Sequence, residues 1–384
     1  MKLIVVQPYL NLKGGAERVI LKVAQHYGAK ILVLEYNPKS TFKEFKDLDV
    51  NIIGKDVPLS GILPYRAAQG LRYGYNFYNL KIKEDYDVIN PHISPSEWIR
   101  RKNERVMWYC HTPPREVYDL YKERMKYRSY KDKFVYAAMT RAYRMIASNV
   151  AGKIEMIAAN SSNTASRIRR YFNRNPVVIN PGVEYKQFHN NGDEKYFFYP
   201  SRLLPNKRQD YVIEAFKIFS KRAGKALRYR LVLAGTLSGD PEHAAYYKRL
   251  KAMAKNSSIS ILTNVDDNKI KELYSRSTAV LYAPINEDFG LVPLESMSSS
   301  KPVIAVNEGG VRETVLDGKT GFLINSPREM AEKMLYLAEH KSDAESMGKE
   351  GRARVEEKYS WESFFVKFDR ALRSVKNNGR ERQL

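Results

Sequence analysis

Residues 284–313, PINEDFGLVPLESMSSSKPVIAVNEGGVRE, decide how the fold is read. The β-rich run AVLYAP ends at Pro284, and a second run, KPVIAV, follows. Between them Pro293 suits the first turn of a helix. Strand, loop, helix, strand is the unit of a parallel sheet. A helix starting there leaves the peptide N–H groups around Gly290, Leu291 and Val292 without intrahelical partners, and such an end takes anions. Glu287 lies in the loop before the helix. Glu295 comes eight positions later, within about the first turn, where the macrodipole favours an acid. A carboxylate accepts hydrogen bonds from vicinal hydroxyls, as sugars and riboses offer them. The same pair also fits an ordinary capped helix on a surface.

The alternation extends in both directions. KLIVVQ, KILVLEY, DVIN, ERVMWYC, KIEMIAANS and NPVVIN read as strands of a first half, with a helix in AERVILKVAQHY. The segment PGVEYKQFHNNGDEKY, rich in Pro, Gly and Asn, marks a boundary. YFFYPS, YRLVLAG, SISILT, AVLYAP, KPVIAV and GFLI are strands of a second half. RQDYVIEAFKIFS places Val212, Ile213, Phe216 and Phe219 on one helix face, and Ser326 with Glu329 forms a capping box. The fold class is α/β, with two Rossmann-like doubly wound domains at 1–185 and 190–358. A last amphipathic helix covers 361–376, and the tail after it is expected to fray. The motifs fall just after strands, where such sheets bind ligands, so the halves are expected to face each other across a cleft.

The 384 residues carry a net charge of +22. Residues 1–190 hold 32 Lys/Arg against 17 Asp/Glu, and the rest 33 against 26, so the basic excess lies mainly in the first half. Such a field attracts phosphate-bearing partners. A single cysteine, Cys110, excludes an intrachain disulfide and the usual zinc frameworks. No apolar run approaches the ~20 residues needed to span a bilayer. These features read as a cytoplasmic protein, soluble or peripheral to the membrane.

The pattern Glu-x7-Glu with FGL, LESM, KPVIA, GG and GFLI resembles the donor-site signature of family-4 retaining glycosyltransferases of the GT-B fold. Asp288 stands where that pattern has a small residue, and SMSSSK where it has Ala-Met-Ala-x-Gly. The resemblance covers nearly the whole chain and is weakest at 40–80 and 115–150. It implies that Glu287 meets the hydroxyls of a donor sugar and Glu295 the ribose. The segment Asp288, Phe289, Gly290, Leu291, Val292 would meet the diphosphate. It also implies that the last helix returns to the first domain.

Arg202 and Lys207, in YPSRLLPNKRQD, bracket a loop between strand and helix. Two cations at a helix N-terminus suit a departing diphosphate, although a basic loop can also be merely solvated. The resemblance implies that they replace a metal. No His/Asp/Glu cluster has metal-ligand spacing, and Asp47/Asp49 and Asp85/Asp87 sit at the starts of strands, so no metal and no other cofactor is expected. Cys110 and His111 are neighbours at a strand end and point to opposite faces, so Cys110 belongs to the core. YCHTPPR resembles the acceptor side of a subgroup that uses GDP-mannose, where His111 would orient sugar or acceptor or transfer a proton. Gly14-Gly15 is either a simple turn or a place for close backbone approach to a ligand. Thr263 and Asn264, by resemblance, lie near the nucleobase.

Residues 100–144 hold 13 Lys/Arg and five Asp/Glu among Tyr118, Tyr121, Tyr127, Tyr130, Phe134, Tyr136 and Tyr143. An anionic membrane surface, single-stranded nucleic acid and a charged face on a core helix all fit this composition. The combined reading is a metal-independent retaining transferase. It moves a hexose, mannose from GDP-mannose first, to a glycan or lipid-linked acceptor. A nucleic-acid-binding protein, a sugar-nucleotide epimerase and a glycan phosphorylase are the rival readings, with nucleic acid the less expected partner.

Overall fold

A computed structural model describes residues 1–54, 65–126, 128–224, 227–237 and 241–381. Tyr127 lies outside the described residues. The chain forms two compact units: Met1–Asn180 with the residues from Phe365 onward, and Pro181–Phe364.

In the first unit four parallel strands, β1 (Leu3–Leu10), β2 (Lys30–Tyr36), β3 (Val50–Ile52) and β4 (Val88–Pro91), lie in the order β3-β2-β1-β4. A parallel bridge from Ile89 to Val106 continues this array into β5 (Met107–Cys110), β6 (Met156–Ala159) and β7 (Val177–Val178). β1, β4 and β5 are buried along nearly their whole length, the mark of central strands covered on both faces. Strand β1 continues through Gln7-Pro8 to Leu10, further than its apolar start indicates. The expected NPVVIN strand shrinks to two paired residues.

The second unit is one six-stranded parallel sheet of β8 (Tyr196–Pro200), β9 (Arg230–Gly235), β10 (Ile259–Thr263), β11 (Ala279–Tyr282), β12 (Val303–Val306) and β13 (Gly321–Ile324). Their order is β10-β9-β8-β11-β12-β13. Helix Gln209–Ala223 buries Val212, Ile213, Phe216 and Phe219, as its periodicity requires, and packs beside helix Pro327–Glu339. On that face Phe219 meets Phe197 and Tyr229 edge to face, and Phe197 stacks on Tyr229. The opposite face is closed by Phe198 against Tyr274. Ser326 caps its helix by accepting from Glu329 N–H at 3.1 Å, and the Glu329 carboxylate turns back to Asn325 N–H at 2.9 Å.

The last helix, Trp361–Glu381, runs beyond Val375 instead of fraying there. Phe364, Phe368, Leu372 and Val375 recur at helical spacing and are buried. Within the first unit His26 stacks on Phe365 at 3.8 Å, and Tyr27 donates to Asp369 at 2.8 Å.

Candidate active site

In the second sheet the connection after β8 leads to β9 and the one after β11 leads to β12, in opposite directions. The neighbouring carboxyl ends of β8 and β11 therefore form a topological switch point, where doubly wound sheets hold ligands. Three connections meet there: 201–208 after β8, 283–290 after β11 and 307–310 after β12.

Buried Tyr199 ties the first two loops together. Its hydroxyl donates to the Lys207 carbonyl and accepts from Ala283 N–H at 3.4 Å. Ile285 N–H also donates to the Asn206 carbonyl at 2.9 Å. This framework brings Lys207 Nζ to 2.6 Å from Glu287 Oε2, with only 14% and 27% of the two side chains exposed. The Arg202 side chain is exposed at the start of the same loop, with no ion-pair partner among the described residues.

Helix Leu291–Ser298 begins at Gly290, which has φ +91° and so favours glycine. Pro293 is its third residue, and the amides of Leu291 and Val292 head it. Glu295 is the fifth residue, at the start of the second turn and close to the expected position. Its Oε2 accepts from Tyr274 at 2.7 Å. Burial first, then Glu287, Tyr199, Glu295 and Asp288, push the Tyr282 phenol well above its ordinary range. The three carboxylates thus share one neighbourhood. Phe289 is buried in the sheet's core cluster and fixes the loop from below.

The Gly-Gly turn acts as a brace. Gly309 has φ +61°, and a Cβ there would lie 2.3 Å from the Glu287 carbonyl oxygen. A Cβ on Gly310 would lie 2.2 Å from the Asp288 carbonyl oxygen, and Gly310 N–H donates to the Glu287 carbonyl at 2.8 Å. Glu308 adds a second ion pair, 2.8 Å from Arg208, and accepts from Asn286 N–H at 3.1 Å. Arg208 adopts a left-handed φ of +50°, an unfavourable conformation for a residue with a Cβ. Arg208 and Glu308 were not legible in the sequence as site residues. The one signal was the closeness of each to a recognised motif.

Thr263 ends the edge strand β10 and Asn264 follows it. They are two strands from β8, about 10 Å away at ~4.8 Å per strand, and do not join the Lys207–Glu287 cluster. The remaining expected residues belong to the first unit. Gly14 caps helix Gly15–Tyr27 in an extended conformation. The pressure for glycine there is steric, because a Cβ would lie 2.5 Å from the buried Glu17 carboxylate. Cys110 is fully buried, as expected of a core residue. His111, half-buried, places Nε2 3.0 Å from Nδ1 of His92, a partner that sequence reasoning missed. Burial pushes the His111 imidazole down to about 3.

Asp85 and Asp87 precede β4, and Lys2 and Lys376 hold them at 2.8 Å each. Among the described residues no group of three or more His, Cys, Asp or Glu is placed to hold a metal ion. In the 100–144 region several cations have local partners. Arg100 pairs with Glu155 and Arg115 with Asp119, and Arg128 lies over Tyr136. Arg144 covers both Tyr118 and Tyr121.

Residues 183–354 match the family description "Glycosyl transferases group 1", and residues 13–187 match "Glycosyltransferase Family 4". The alpha-1,3/1,6-mannosyltransferase ALG2 of Mus musculus is 30% identical over 91% of this chain and 91% of its own length. The chain belongs to glycosyltransferase family 4. The human ALG2 is 28% identical with the same coverage. Among solved structures, Anabaena Alr3699/HepE in complex with UDP aligns with a TM-score of 0.74 at 16% identity, covering 97% of this chain and all of that one. Sucrose-phosphate synthase of Thermosynechococcus elongatus gives 0.75 at 17% identity, covering 98% and 99%. The fold is GT-B, with two parallel-sheet α/β domains. The family-4 chain is a glycosyltransferase.

Proposed function

We propose that the protein is a retaining hexosyltransferase whose donor is a nucleotide sugar, GDP-mannose first, and whose acceptor is a glycan or a lipid-linked sugar. The observation that carries this reading is the Lys207–Glu287 pair, 2.6 Å apart beside the head of helix Leu291–Ser298 at the switch point. A diphosphate at that helix end meets the Leu291 and Val292 amides, with Lys207 and Arg202 as cations. Lys207 then balances both the diphosphate and Glu287, and the Glu287 carboxylate accepts hydrogen bonds from sugar hydroxyls. As the glycosidic bond breaks, negative charge grows on the leaving diphosphate, and these donors stabilise it without a metal. Glu295 takes the ribose, and Thr263 and Asn264 flank the base. Mannose is supported by the ALG2 relatives, which are named as mannosyltransferases.

The first unit supports a lipid-linked acceptor. Helix Tyr130–Lys153 buries Thr140, Ala147, Val150 and Ala151, yet exposes Tyr130 (92%), Phe134 (78%) and Met145 (66%). Near Met145 a pocket of about 380 Å³ is lined by Tyr121, Ala137, Thr140, Arg141 and Arg144. Exposed rings beside cations suit an anionic lipid surface and peripheral attachment. No described helix is long and apolar enough to cross a membrane.

The test is a donor panel with and without a membrane lipid extract, reading released nucleoside diphosphate and labelled lipid. Acceptor-dependent consumption of one donor is expected. Turnover of donor without acceptor would favour an epimerase, a requirement for inorganic phosphate would favour a phosphorylase, and no turnover would overturn the proposal.

A further inference from the structure

The histidine pair of the first unit has its hydrogens fixed by one amide. The Met107 carbonyl can only accept, so the Asn90 atom 2.6 Å from it is the amide nitrogen. Asn90 Oδ1 then faces His92 Nε2 at 2.9 Å and can only accept, so Nε2 carries the hydrogen. His92 is 1% exposed, and burial first, then the neighbouring His111, hold its imidazole neutral, well below the usual histidine range. A neutral ring with hydrogen on Nε2 has its lone pair on Nδ1, so His111 Nε2, 3.0 Å away, must be the donor. Trp108 Nε1–H donates to the His92 carbonyl at 3.1 Å and anchors the backbone of that residue. Among the described residues His111 Nδ1 meets no hydrogen-bond partner.

We infer that Asn90 and His92 are positioning residues that lock His111 into the tautomer with hydrogen on Nε2. His111 Nδ1 is thereby kept as an acceptor for a hydroxyl of the sugar or the acceptor. The identity of that hydroxyl rests on the transferase reading; the tautomer does not. Without Asn90 both rings can flip their hydrogens together, and His111 Nδ1 becomes a donor for part of the time.

Two-bond nitrogen-15 correlation of the histidine rings in the full chain tests this, with His111 assigned from a His111→Gln sample. The expected wild-type pattern has a protonated Nε2 and a bare Nδ1 on His111. Asn90→Leu is expected to average that pattern and lower kcat about tenfold at unchanged donor KM. Asn90→Asp, whose buried carboxyl carries its proton toward the Met107 carbonyl and keeps an oxygen facing His92, is expected to recover both. Hydrogen on His111 Nδ1 in the wild type overturns the inference and needs no variant to be seen. An Asn90→Leu protein that keeps the wild-type ring pattern overturns it as well. The expected ring pattern in a protein that consumes no donor would leave the tautomer lock standing and remove the transferase reading; donor turnover with the opposite tautomer would do the reverse.

Discussion

The carboxyl ends of the two sheets carry opposite kinds of polar chemistry. After β8, β11 and β12 the side chains are paired as ions, Lys207 with Glu287 and Arg208 with Glu308. At the ends of β4 and β5 they are paired as neutral groups, Asn90 with His92 and His92 with His111. Nearby Glu97, 1% exposed, is raised by burial to about 7. Ion pairs can exchange a partner when an anion arrives, so the second unit suits a diphosphate. A neutral chain has no charge to exchange but offers directed donors and acceptors, so the first unit suits hydroxyls. The brace differs too: backbone packs on Gly309 and Gly310 in the second unit, whereas side-chain hydrogen bonds tie the strands in the first.

This contrast can be broken at several points. Lys207→Met removes the cation shared by Glu287 and the leaving group. Its kcat is expected to fall about 10²–10³-fold, as for loss of a preorganised charge-stabilising donor. Single-turnover rates with saturating donor measure it, and a fall under threefold would dissolve the ionic character assigned to the second unit. Glu295→Gln keeps an acceptor for Tyr274 but loses the charge. Affinity for a nucleoside diphosphate should drop about tenfold, the scale of one charged hydrogen bond, by calorimetric titration. Gly310→Ala forces a methyl into the Asp288 carbonyl. A cost of about 1–3 kcal/mol, with Tm lower by several degrees, is expected from such overpacking.

The smallest effect concerns pH in the first unit. The folded-state value of Glu97, about 7, lies above the ordinary 4.5, so the native state holds its proton longer. Its contribution to stability is therefore complete below about 4.5 and is lost as pH rises towards 7. Glu97→Gln should remove this loss. The Tm difference, mutant minus wild type, should grow by a few degrees between pH 5 and 7. A flat difference would show that Glu97 is not held neutral by its surroundings.

Much of the fold was legible because buried parallel strands are continuous apolar runs: YFFYP, AVLY and VIAV can be read without partners. Glu287, Gly290 and Glu295 were legible because they lie within nine residues of one another around a helix start. Arg208 and Glu308 were not, since they are 100 positions apart and only the sheet order unites them. His92 was hidden for the same reason, because its meaning depends on an amide two residues back and a ring on the next strand. Helix Tyr130–Lys153 escaped periodicity because its two halves differ, the first exposing Tyr130 and Phe134 and the second burying Val150 and Ala151. The charge of 100–144 overstated the free basic surface, because stacking on tyrosines and pairing with local acids engage many of its arginines.

The most direct measurement is calorimetric titration of GDP, and of UDP beside it, into wild-type protein and Lys207→Met. The account expects one of the two to bind the wild type in a single site without added metal and to bind Lys207→Met at least tenfold more weakly. Equal affinity in the two proteins, or no binding of either nucleotide by the wild type, would contradict it.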